Sequence, residues 1–305
     1  MSGIELVQLS KRFGNRVAVD ALDFAIAPGE IFGLPGPNGA GKTTTVRMLS
    51  GLLSPSSGDA FVFGHSIRAD GEQLRRRIGL LTEQPGLYDR LTGRENLLFF
   101  IKLHCLDRGQ AWARALGYMD RFGLKGREDE PCGSYSKGMR QKLAIVRAIL
   151  HQPQVIFFDE PTSGLDPESG RMVRDAIAEL AAEGRTIVLC SHNLTEVERL
   201  CQRVAVIKGR LLALSSVQEL RRVGVTLELR VGGPAIQFER ALAAIPFCRS
   251  ALADGNVLRV GLESEEEVPQ LISLLVAQGA RIYSAHRAER PLEEVYLELM
   301  REDVN

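Results

Sequence analysis

Eight consecutive residues constrain this chain more than any others: Gly36-Pro37-Asn38-Gly39-Ala40-Gly41-Lys42-Thr43. They fit the pattern of two glycines five positions apart followed by a lysine and a hydroxyl residue. They also stand in the required context, between the short apolar run Ile31-Phe32-Gly33-Leu34 and a segment of helical character over 42–49. Glycines let such a loop turn its backbone N–H groups inward, and the following helix N-terminus adds partial positive charge. The ligand this suits is a chain of phosphates. Gly36, Asn38, Gly39, Ala40 and Gly41 supply the backbone of the cradle, and Lys42 is the cation to bridge the β- and γ-phosphates. The Thr43 hydroxyl is a ligand for Mg2+, and Thr44 is a further donor to phosphate. A chance glycine turn is the plain alternative, so a second element is needed.

Val155-Ile156-Phe157-Phe158-Asp159-Glu160 provides it. A continuous apolar run is the mark of a strand buried on both faces. This one delivers two carboxylates at its C-terminal end, where ligands of open α/β sheets bind. Asp159 is placed to hold Mg2+, directly or through water, and Glu160 is the candidate base for an attacking water. A surface Asp-Glu pair is the bland reading, and the cradle upstream weighs against it.

Around these motifs the pattern predicts an α/β chain. Strands are expected over 4–9, 15–19 and 22–27, and a mostly helical stretch over 71–148, with helices near 94–104, 110–122 and 137–150. A helix over 168–183, a strand over 186–190 and a helix over 194–203 continue a β-α-β alternation that implies a parallel sheet with right-handed crossovers. Beyond a change of composition at 214–224 the order is strand 225–231, helix 235–244, two strands about the Asp254-Gly255-Asn256 turn, helix 265–278, strand 281–285 and helix 292–301. That β-α-β-β-α-β order predicts a small α+β ferredoxin-like module.

Charge narrows the partners. Lys plus Arg and Asp plus Glu number 38 each, so the formal net charge is zero, and a duplex-binding domain carries a basic excess. Nucleic acid is therefore not expected. Arg75, Arg76 and Arg77 read as a solvated helix face. The N-terminus lacks the basic and apolar stretch of a secretory signal. There is no uncharged apolar run of about 18 residues, so any work at a membrane requires a separate subunit. Cys105, Cys132, Cys190, Cys201 and Cys248 are scattered without metal spacing, which fits reduced thiols in a cytoplasmic protein. His65, His104, His151 and His286 have no ligand spacing.

Further motifs, in order, closely resemble the ABC-type ATPase family. Tyr135-Ser136-Lys137-Gly138-Met139-Arg140-Gln141 looks like its signature loop, and Gln84 in Leu81-Thr82-Glu83-Gln84-Pro85 falls at the Q-loop glutamine. Ser163-Gly164-Leu165-Asp166 matches the D-loop, His192 the switch histidine, and Phe13 the aromatic residue that stacks on adenine. The resemblance spans about residues 4–214. It implies a P-loop NTPase of the ABC type, with a mixed-sheet core and a helical subdomain at about 85–150, in a domain of residues 1–218. Residues 219–305 would be an accessory or regulatory domain.

The resemblance also implies ATP and Mg2+ as ligands, with Gln84, Thr43 and Asp159 around the metal. A head-to-tail homodimer, or a paired ATPase subunit, would close over two nucleotides, Ser136 and the Gly138 backbone of one copy capping the γ-phosphate held by Lys42 of the other, with Asp166 of the D-loop among the nucleotide-binding residues. Hydrolysis, using Glu160, His192 and Gln84, would drive a separate polytopic membrane subunit from the cytoplasmic face. The signature spelling and the ending Pro291-Leu292-Glu293-Glu294-Val295-Tyr296-Leu297 look like the branch serving drug, antibiotic or polysaccharide exporters. A soluble ABC-type ATPase of a cytosolic assembly process is the alternative. Three departures stand out: Pro35 before the cradle, Lys137 in place of the first signature glycine, and Phe13 in place of tyrosine.

Overall fold

In the computed structural model, residues 2–222, 225–242, 245–288 and 290–302 are described. The chain divides into two compact units, Met1–Ser216 and Val217–Glu302.

The first unit is built on a six-stranded sheet in the order Arg210–Ser216, Arg203–Lys208, Ile31–Pro35, Thr186–Ser191, Val155–Asp159 and Ile78–Leu81. All neighbours are parallel except the hairpin of Arg203–Lys208 with Arg210–Ser216. Every residue of the three central strands is buried, as their unbroken apolar runs require. Phe32, Phe157 and Phe158 are completely buried. Each such ring contributes roughly 1.5–3 kcal/mol relative to an exposed one.

A second, antiparallel sheet has the order Arg16–Ile26, Ile4–Phe13, Ser57–Val62 and His65–Ser66. Its Ile4, Leu6, Leu22 and Val62 share one core with Phe32, Leu34, Val46 and Phe157. The two strands expected over 15–19 and 22–27 are one strand, Arg16–Ile26, bent rather than broken at Ala21. There φ is 44°, and the Ala21 N–H donates to Ser10 Oγ at 2.9 Å, so the bulge is satisfied by a side chain.

Ile78–Leu81 is a strand inside the stretch expected to be mostly helical. Its four residues carry no period of their own, and pairing with Val155–Phe158 decides their state. Three helices, Gly93–Leu103, Arg108–Arg121 and Lys137–Ile149, pack on one another beyond it. The first opens with a capping box between Thr92 and Glu95. The helix expected over 194–203 stops at Leu200, and Arg203 instead opens a strand beside Phe32.

The second unit has the ferredoxin-like order. Val225–Val231, Cys248–Asp254, Val257–Leu262 and Ile282–Ala288 form an antiparallel sheet with Val225–Val231 and Val257–Leu262 at its centre. Ile236–Leu242 and Val268–Ala277 bury Phe238, Leu242, Leu271 and Leu275 in a core with Leu229 and Val260. Among the described residues no helix is long and apolar enough to cross a membrane.

Candidate active site

Parallel register brings the chemistry to one edge. Pro35 lies opposite Ser191 and Asp159 opposite Cys190, so the cradle, the carboxylate pair and His192 all leave the sheet at the same end. Pro35 is the last residue of its strand, where the ladder ends and a missing N–H is tolerated.

The cradle depends on glycine at Gly41, whose φ is +100°. A Cβ there would stand 2.7 Å from the Ala18 carbonyl oxygen. Gly41 is the N-cap of the helix Lys42–Leu49, with no side-chain cap of its own. Lys42 is buried, its Nζ donating to the Gly36 carbonyl oxygen and lying 3.6 Å from Glu160 Oε1. Thr43 Oγ1 donates to Asp159 Oδ1 at 3.4 Å. Burial pushes the Asp159 carboxyl above its ordinary value, while the Thr43 hydrogen bond pulls the other way.

Glu160 has φ of 53°, a left-handed backbone that a residue bearing a Cβ rarely adopts. Its N–H donates to the Cys190 carbonyl oxygen at 2.9 Å, tying the strained residue to the neighbouring strand. Its carboxylate accepts the His192 backbone N–H at 3.0 Å and lies 2.7 Å from His192 Nδ1. One carboxylate oxygen, Oε1, thus faces the lysine while accepting the His192 backbone N–H, and the other, Oε2, lies against the His192 ring.

A cleft of about 610 Å3 opens beside these groups. Phe13, Asn38, Gly39, Gly41, Lys42, Thr43, Thr44, Glu160 and His192 belong to its wall. Gly36 and Ala40 lie behind that wall, within the loop: a Cβ on Gly36 would come 3.1 Å from that of Ala40, whose N–H donates to Pro37 O. Phe13 is half exposed, with the Lys11 ammonium 5.2 Å from its ring centroid. Arg16 and Ala18, which no motif named, also line the cleft, as do Glu83 and Ser163, which the motifs contained without a role at the site. The signal for Arg16 and Ala18 was their place just beyond Phe13 on the strand that meets Gly41.

Asp159 is buried and reaches this wall only through its hydrogen bond with Thr43, and four further expected residues stand apart from it. Gln84 is exposed, and its backbone oxygen accepts from Thr82 Oγ1 at 2.6 Å. The loop that carries it is held by Arg147, whose Nη1 donates to Pro85 O at 2.6 Å and Gly86 O at 2.9 Å. Ser136 caps the helix Lys137–Ile149, its Oγ accepting from the Met139 N–H at 3.2 Å, and Gly138 is buried in that helix's first turn. Asp166 caps Pro167–Ala182 by accepting from the Ser169 N–H at 2.9 Å, a bond that also lowers its carboxyl below the ordinary value.

Comparison with known proteins agrees with this geometry. The family model described as ABC transporter matches residues 19–163, which include both the cradle and the carboxylate pair. An ABC transporter ATP-binding protein of Bacillus subtilis, YhcH, is 36% identical over 299 residues, covering 97% of this chain and 95% of that one. The daunorubicin resistance ATP-binding protein DrrA3 of Streptomyces coeruleorubidus is 36% identical over 278 residues, covering 84% and 88%. A solved ATP-binding subunit of an ABC transporter superposes with a TM-score of 0.66 at 31% identity, covering 72% of this chain and 92% of that one. With near-full-length relatives above 30% identity and a family model seated on the cleft, the chain belongs to the ABC transporter family, as an ATP-hydrolysing ATP-binding subunit.

Proposed function

We propose that this chain is the motor of an exporter, docking on the cytoplasmic face of a separate polytopic membrane subunit and driving it by ATP hydrolysis. The observation that carries the reading is the seating of Glu160 between Lys42 and His192 at the mouth of the cleft. A water between Glu160 and a γ-phosphate held by Lys42 would lose its proton to the carboxylate as it attacks phosphorus. His192 fixes the carboxylate's direction, so little reorganisation remains for the reaction itself. Phe13 offers a ring face to the base, and the cradle N–H groups bind the phosphate chain.

The residues fit a magnesium ion. Thr43 and Asp159 present a hydroxyl and a carboxylate, the hard oxygen donors that ion prefers, and a cation would restore the ionised form that burial disfavours. Such an ion, when bound, would offset the charge that develops on the phosphates. Gln84 completes the set in this reading, which requires its loop to turn toward the cleft.

Ser136 and Gly138 lie off the cleft of their own chain, which suits a role toward the nucleotide of a second copy. A homodimer closing over two nucleotides would use them there, with Asp166 at the junction. Residues 1–218 act as the ATP-binding domain, residues 85–150 within them as the helical subdomain, and residues 219–305 as an accessory domain. Beside the Gln84 loop, Tyr88, Phe99 and Leu103 leave 50%, 44% and 62% of their surfaces exposed, an apolar area suited to the membrane subunit. Export is preferred because DrrA3 is named for drug resistance.

The test uses a trapped variant as bait. Tagged Glu160→Gln, loaded with ATP and Mg2+, is recovered from detergent-solubilised native membranes. Stoichiometric recovery of a polytopic membrane protein is the expected result. Recovery of soluble partners only, with the bait absent from the membrane fraction, would overturn the transport reading in favour of a cytosolic assembly ATPase.

A further inference from the structure

One buried carboxyl outside the cleft wall has no part in the chemistry described so far. Glu196, in the first turn of the helix Leu194–Leu200, is only 2% exposed. A carboxyl taken that far from water is costly unless hydrogen bonds offset the loss. Burial pushes it above its ordinary value and Glu160 adds to the rise, while the Ser191 and Thr162 hydroxyls and Arg174 pull the other way.

The bonds of Glu196 run to the turn that carries the histidine. Ser191 Oγ donates to Glu196 Oε2 at 3.0 Å, and the same hydroxyl oxygen accepts the Asn193 N–H at 3.1 Å. Asn193 Oδ1 closes the ring by accepting the Glu196 N–H at 3.3 Å. In an ordinary capping box the glutamate accepts the N-cap N–H directly. Here a serine hydroxyl stands between them, so the network takes in the last residue of the strand Thr186–Ser191 as well as the helix cap. The residues on both sides of His192 are thereby fixed to one buried side chain. The His192 side chain is itself 60% exposed, and its ring and its N–H both meet Glu160.

We propose that Glu196 is a positioning residue for hydrolysis: through Ser191 and Asn193 it fixes the backbone from which His192 holds the Glu160 carboxylate. Glu196 does not line the cleft, so its effect on the reaction passes through this turn. The role does not need a charge. The Ser191 hydroxyl donates to an oxygen, which a glutamine amide also offers, whereas alanine leaves the turn without its anchor. The catalytic consequence rests on the ATPase reading of the cleft; the hydrogen-bond network does not.

The experiment measures kcat, KM for ATP and equilibrium ATP binding in Glu196→Ala, Glu196→Gln, Ser191→Ala and the double variant Glu196→Ala/His192→Ala. Amide exchange at His192 is followed in the same variants that keep the ring, without nucleotide. Glu196→Ala is expected to lower kcat about 30-fold with ATP binding within about 2-fold of the wild type. Exchange at His192 is expected to rise roughly 5-fold. Ser191→Ala, which keeps the carboxyl and removes the link, should move both readouts the same way, and Glu196→Gln should retain wild-type values. The double variant should turn over no more slowly than His192→Ala alone, because the turn then has nothing left to aim. A double-variant loss equal to the product of the two single losses would overturn the proposal, as would Glu196→Gln being as slow as Glu196→Ala. Should Glu196→Ala fail to fold, Ser191→Ala decides by kcat and exchange, and wild-type values in both would overturn the proposal. Absence of turnover in the wild-type chain would instead remove the ATPase reading, and exchange at His192 would still decide the network.

Discussion

Glu160 and His192 hold each other at two points, the imidazole Nδ1 2.7 Å from one carboxylate oxygen and the backbone N–H donating to the other at 3.0 Å. Removing the ring leaves the backbone bond but frees the carboxylate to rotate toward Lys42, which lies 3.6 Å away. His192→Ala is therefore expected to lower kcat about 100-fold while the affinity for ATP changes by no more than about 2-fold. Nucleotide titration beside steady-state kinetics checks this, and an equal fall in affinity would show that the ring serves binding.

Gly41 offers a sharp steric prediction. Its φ of +100° and the 2.7 Å approach of the Ala18 carbonyl to any Cβ leave no room for a methyl group. Gly41→Ala is expected to cost roughly 1–3 kcal/mol of stability and to abolish measurable ATP binding, because the cradle must open to accept it. Thermal denaturation and ATP titration measure the two effects.

Asp159 links stability to pH with a sign opposite to that of a salt-bridged carboxylate. Burial raises its folded-state pKa, so the native chain holds a proton more tightly than the unfolded chain does. Its contribution is most favourable below the unfolded pKa and is lost as pH rises through the range up to the raised folded value. Asp159→Asn should therefore raise the melting temperature at neutral pH without nucleotide or metal, while Mg2+-dependent hydrolysis collapses. A variant less stable than the wild type at neutral pH would contradict this account.

Much of this molecule was legible in the residues because its chemistry is local in sequence. Gly36 to Thr43 form one uninterrupted loop, and the run Val155–Phe158 announces both a buried strand and the place where Asp159 emerges. Ile78–Leu81 was hidden because four residues are too few to show a period, and a partner about 77 positions away determines their pairing. Arg16–Ile26 looked like two strands because its bulge at Ala21 shifts the alternation. At the site, Glu83 and Ser163 join the wall by the folding of loops, which no spacing encodes. Gln84 was named from its position in a motif, and it is exposed and not part of that wall.

In the proposed function Glu160 activates water for ATP hydrolysis. The most direct measurement is steady-state turnover of Glu160→Gln beside its equilibrium binding of ATP. Turnover lower by about 100-fold or more with binding retained is expected, since the amide keeps the shape and loses the base. Turnover equal to that of the wild-type chain, with ATP bound equally well, would contradict it.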